Sequence, residues 1–66
     1  MSFKAGDHVV DAKFGDGIVE GVKNLGVSLH PVIVRFFKKN KKELYTLDGV
    51  RNGMKDPTLS LQTNGG

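Results

Sequence analysis

Few side chains in this chain have the chemistry of a catalyst. Cysteine is absent, so a nucleophile would have to be a hydroxyl of Ser2, Ser28, Thr46, Thr58, Ser60 or Thr63. Nucleophilic catalysis needs a base and an orienting group beside the nucleophile, and none of the six sits in such a motif. His8 and His30 could meet at a metal ion with Asp7, Asp11 or Asp16. Zinc sites, however, are built from three or four ligands at recognisable spacing, and that spacing is missing. The side chains therefore predict no catalytic residue, no metal and no cofactor.

The stretch "KFGDGIVEGV" at 13–22 raises the question of a phosphate loop, because Gly15 and Gly17 stand two apart ahead of an apolar run. A Walker loop continues into lysine and a hydroxyl residue that open a helix, and neither follows here. A dinucleotide fingerprint needs a βαβ setting, which is also missing. The remaining role is mechanical. The two glycines either take positive φ or let another backbone approach closely where a sheet bends.

The strongest electrostatic feature is "KKNKK", where Lys38, Lys39, Lys41 and Lys42 fall within five residues. Gathered at a hairpin tip, they would meet several phosphates and release counterions, giving salt-sensitive affinity for nucleic acid. Arg35 and Arg51, or exposed Phe37 and Tyr45, would add a stacking surface for single strands, and Arg35 beside the lysines would add charge. The competing reading is a solvated turn whose lysines discourage edge-to-edge association. The net charge of +3 permits an anionic partner without demanding one.

The elements that position these residues read as strands. Nine glycines, two prolines and many β-branched residues argue against helices. Strands are predicted at 8–12, 17–22, 32–37, 43–46 and 58–62, the lysine-rich segment 38–42 being the turn between the third and fourth. Turns are signalled by Gly6-Asp7, Asp48-Gly49 and Asp56-Pro57. Side chains alternate along a strand. Val32, Val34 and Phe36 are therefore assigned to the core, and Ile33, Arg35 and Phe37 to the other face. Leu59 and Leu61 are placed on the inward face of the last strand. An exposed Ile/Arg/Phe stripe has the composition of a protein interface.

Sixty-six residues make one domain with a thin core. The expected fold is all-β, a small, strongly bent SH3-like barrel of five to six strands over residues 1–62, with a flexible tail at 63–66. Closing or half-closing the sheet would dispose of its edges. The absence of cysteine, of a signal-like start and of a long apolar run predicts a cytoplasmic protein without membrane contact.

The segment "FKAGDHVVDAKFGDGIVEGV" resembles the N-terminal half of Tudor-like and SH3-like modules in bacterial transcription and repair factors. Among them are the C-terminal domain of superfamily-1 repair helicases and the RNA-polymerase-binding domain of CarD-type regulators. The shared pattern falls here on Phe3, Gly6, Asp7, Val9, Gly15, Gly17 and Val19. Over nearly the whole length, the elements Gly6 to Asp11, Gly15 to Gly17, Pro31 to Phe36, Tyr45 to Gly49 and Asp56 to Ser60 are similar to small uncharacterised phage and prophage proteins. His30 stands where those proteins often carry an aromatic. The resemblance implies a phage-type origin in a bacterial host, an SH3-like fold and no catalysis. Two functions follow as expectations. One is a binding module that contacts nucleic acid, or the machinery working on it, through Lys38, Lys39, Lys41, Lys42 and Arg35. The other is an effector that binds a host protein, or a second copy of itself, through Ile33, Arg35 and Phe37.

Overall fold

The computed structural model describes residues 3–62, so the tail expected at 63–66 lies outside the described residues. Five strands form one antiparallel sheet: β1 (His8–Asp11), β2 (Gly15–Val22), β3 (Val32–Phe36), β4 (Lys41–Tyr45) and β5 (Leu59–Leu61). Their order is β4-β3-β2-β1-β5. No helix occurs among the described residues. The chain is thus all-β, with five strands rather than six. β4 and β5 form the two edges of an open sheet and do not pair with each other.

One face of the sheet carries the core. Val9, Val19, Val32, Val34, Phe36, Tyr45 and Leu59 are buried together, and Phe14 folds over them from the β1–β2 turn. The register shifts between Val19 and Gly21 and sets Val22 opposite Val32, so Val22 also packs against this cluster. Phe14 and Phe36 meet with ring centroids 5.1 Å apart, and Phe36 meets Tyr45 edge-on at 6.3 Å.

The two glycines of the 13–22 stretch serve different ends. Gly15 closes the three-residue turn 12–14 at φ 81°, in the left-handed region that glycine tolerates best. Gly17 is a matter of space: a Cβ there would lie 2.7 Å from the Arg35 carbonyl oxygen and 2.9 Å from the Phe36 ring. The β2–β3 approach therefore depends on a missing side chain.

Asp11, at the end of β1, is buried and ionised. Its Oδ2 accepts hydrogen bonds from the backbone N–H groups of Lys13 (2.8 Å) and Phe14 (3.1 Å). Its Oδ1 accepts from the Tyr45 hydroxyl at 2.9 Å and from the Thr58 hydroxyl. Burial alone would raise the carboxyl pKa, but the bonds from Thr58, Lys13, Tyr45 and Phe14 outweigh it and hold the pKa below its ordinary value. Burial and the bond to Asp11 raise the Tyr45 phenol, which stays protonated as the donor. Tyr45 lies three strand spacings from β1, roughly 14 Å across a flat sheet. Side chains standing off a flat sheet would not bridge that gap, so the sheet curls until β4 faces β1 across the core.

Segment 46–58 follows the curl from one edge towards the other. It bridges Tyr45 to Arg51 and Val50 to Pro57, and Thr58 N–H donates to the Gly49 carbonyl at 3.1 Å. This path brings Arg51 beside β4 and Thr58 onto Asp11.

Three expectations need correction. β4 begins at Lys41, two residues earlier than expected, because Asn40 at φ 47° completes the turn within 37–40. Tyr45 is fully buried and offers no stacking surface. Leu61 pairs with Val9 and so faces the core side, yet it stays exposed at the end of β5, a three-residue edge strand.

Two outcomes follow for stability. A carboxylate whose folded pKa is depressed contributes stability above its unfolded pKa, near 3.9, and loses it as pH falls through the folded value. Urea unfolding should therefore show stability dropping below about pH 4. Asp11→Asn should lose about 2–3 kcal/mol at pH 7 and flatten that acid limb. Gly17→Ala should lose about 1–3 kcal/mol through overpacking, whereas Gly15→Asn, which keeps a left-handed-tolerant residue, should lose less.

Candidate anion-binding site

The Asp11 carboxylate fixes the β1–β2 turn, and the turn presents two neighbours in opposite directions. Phe14 goes inward over the core, and Lys13 goes to the surface. At the same end of the sheet, the β3–β4 turn supplies Lys39 and the first residue of β4 supplies Lys41, opposite Phe36. Arg51 arrives from segment 46–58 through its bridge to Tyr45.

All four cations converge on the Phe14 ring. The Arg51 guanidinium carbon lies 4.6 Å from the centroid, and the ammonium groups of Lys41, Lys13 and Lys39 lie at 4.9, 5.7 and 5.9 Å. Each contact is favourable to the ring, by about 0.5–1 kcal/mol where exposed, and the lysine stems shield the ring from water. The charges themselves repel one another. On the scale of a Debye length, about 8–10 Å, they sum to one positive field. Glu43 offsets part of it, with Oε2 3.2 Å from Lys41 Nζ. The buried Asp11 carboxylate behind the turn offsets a further part, because its four donors are neutral and leave its charge in place.

The sequence-derived basic group divides between the two faces of the sheet. Strand alternation sends Lys41 to the Phe14 side and Lys42 to the opposite side, where Lys42 pairs across the sheet with Arg35. There Glu20 holds both: Arg35 Nε donates to Oε2 at 2.8 Å, and Lys42 Nζ lies 3.1 Å from Oε1. The hydrogen bond from Lys42 lowers the Glu20 pKa most; modest burial opposes it, and Arg35 adds to the lowering. Lys38 and Lys39 stay in the turn with Phe37, which is 52 % exposed.

Of the expected interface stripe, Ile33 and Arg35 lie on the outer face, whereas β3 ends at Phe36, one residue earlier than expected, and leaves Phe37 in the turn. Ile33 sits opposite Leu44 and Arg35 opposite Lys42, both pairs away from the core. Leu25, Val27 and Leu29 are exposed on the 23–30 loop. His8 and His30 are not gathered with carboxylates, and no group of three metal-ligating side chains occurs among the described residues.

Arg51, expected beside the lysines, does join them, at the Phe14 ring, whereas nothing in the sequence marked Lys13 and Phe14 as parts of the site. The nearest signal was Asp11-x-Lys13-Phe14-Gly15, in which an Asx turn ending at glycine forces adjacent side chains apart. Nothing local in the sequence links Arg51 to that turn.

Comparison with protein-family models, with curated proteins and with solved structures finds no match to this chain. No helix among the described residues is long and apolar enough to cross a membrane.

Proposed function

We propose that this protein is a small non-enzymatic binding module of phage type with an SH3-like barrel fold, acting in the bacterial cytoplasm. Its partner is nucleic acid, alone or within the machinery that processes it. The contact is made with backbone phosphates through the basic end of the sheet. The observation that carries this reading is the convergence of Lys13, Lys39, Lys41 and Arg51 on one ring with a single carboxylate, Glu43, paired among them. Charge held at this density without matching acid is the usual means of meeting a polyanion. The curl of the sheet and the 46–58 segment that runs between its edges support the barrel reading. Lys38 extends the basic end, whereas Arg35 and Lys42 are set aside by Glu20.

A second reading is favoured by the exposure of Phe37 (52 %) and Leu44 (40 %) near Ile33. In it, Ile33, Arg35 and Phe37 dock onto a host protein or a second copy of this chain. The two readings separate by salt and by face.

Fluorescence anisotropy with a labelled single-stranded oligonucleotide over a salt series tests the first. Each phosphate contact on a single strand contributes about −0.7 to the slope of log K against log salt. Lys39→Ser/Lys41→Ser should weaken binding and shallow the slope by about 1 to 2, while Arg35→Ser/Lys42→Ser should leave the slope unchanged. Salt-independent binding of a host protein, kept in the Lys39/Lys41 variant and lost in Phe37→Ser or Ile33→Asp, would favour the second reading.

A further inference from the structure

The basic end contains an unmet valence. The Nη1 amino group of Arg51 is buried and has no hydrogen-bond acceptor among the described residues. A guanidinium has five N–H donors in a planar fork, and burying one end unpaired is unfavourable unless an acceptor arrives. The ring that Arg51 covers is also met by Lys41, Lys39 and Lys13, so that the β1–β2 turn, the β3–β4 turn with the start of β4, and segment 46–58 all bring cations to it. Lys41 has a half-exposed side chain (49 %), and its ion-pair partner is the Glu43 carboxylate on the same strand, so its ammonium can swing without disturbing the sheet.

We propose that Arg51 and Lys41, with Lys13 and Lys39 closing above them, form a discrete seat for one phosphoryl oxyanion. This deepens the nucleic-acid reading and rests on its choice of the basic end. It differs from that reading in requiring one defined position, not a diffuse field. A phosphate oxygen entering between the lysine tails accepts from Arg51 Nη1 and displaces Glu43 as the partner of Lys41. Phe14 forms the floor of the seat. Its ring is nearly covered, so it holds the guanidinium in place and does not stack on a base. A planar fork matches phosphate geometry in a way that an ammonium does not, and Arg51 is therefore the discriminating residue.

The test is a titration of the full chain with inorganic phosphate, followed by NMR of the Phe14 ring and the arginine side chains, then competition with oligothymidylate. The expected result is a saturable shift at Phe14 and Arg51 with little change at Arg35 or Lys42. Arg51→Lys, which keeps the charge, should weaken phosphate binding at least tenfold while the salt slope for the oligonucleotide is retained. Lys41→Gln, at an exposed strand position, should weaken it severalfold and guards against a folding defect in the Arg51 variant. If oligothymidylate displaces phosphate from the seat, its natural occupant is a backbone phosphodiester. If phosphate saturates the seat and oligothymidylate neither binds nor competes, the seat stands for a free phosphate compound and the nucleic-acid reading fails. Shifts that spread evenly over all basic side chains without saturating would overturn the seat, and so would an Arg51→Lys protein that binds phosphate like the wild type. In either case oligonucleotide binding that persisted would leave the nucleic-acid reading intact.

Discussion

The Asp11 carboxylate is the constraint on which the other features of the molecule depend. It sits in a core too thin to hide a charge without help, and four donors from three parts of the chain supply that help. Each donor fixes something different. The Lys13 and Phe14 amides set the β1–β2 turn, the Tyr45 hydroxyl draws β4 across the core, and the Thr58 hydroxyl anchors the return of the chain into β5. Without a carboxylate here, four buried or half-buried donors would lose their partner at once. A small sheet with two unpaired edges has few other long-range ties of comparable directionality.

From this constraint the charge distribution follows. The turn that Asp11 caps points Phe14 inward, and the curl that Tyr45 enforces brings segment 46–58, and with it Arg51, over the same ring. The basic side chains then fall into two classes. On the outer face Glu20 binds Arg35 and Lys42 in a compact surface ion network. At the Phe14 end the paired Glu43 and the buried Asp11 stand against four cations, and the field stays positive. The division is set by alternation along β3 and β4 together with the placement of two glutamates.

Much of the strand framework was legible in the sequence, because alternation in "VIVRFF" and glycine at the turns are local signals. Val32, Val34 and Phe36 lie in the core as their spacing requires, and Gly15 and Gly17 proved mechanical for the two reasons anticipated, positive φ and close approach. The lysine group was only half legible. Its composition stood out, but where the turn ended and the strand began decided which face each lysine took, and the left-handed Asn40 moved that boundary. Tyr45 was misplaced because its burial comes from a partner 34 positions away, and a polar tip gives no hint of that. Arg51 was legible as a cation that could join the lysines, but its place on the Phe14 ring was not, because that is set by the path of segment 46–58.

The central claim is that the Phe14 end, and not the Glu20 face, is where this protein meets its partner. The most direct measurement is residue-by-residue NMR shift mapping as a single-stranded oligonucleotide is added at low salt. The account predicts the largest changes at Lys13, Phe14, Lys39, Lys41 and Arg51, with Ile33, Arg35 and Lys42 nearly still. Changes centred on Ile33, Arg35 and Lys42, or no change at any basic side chain, would contradict it.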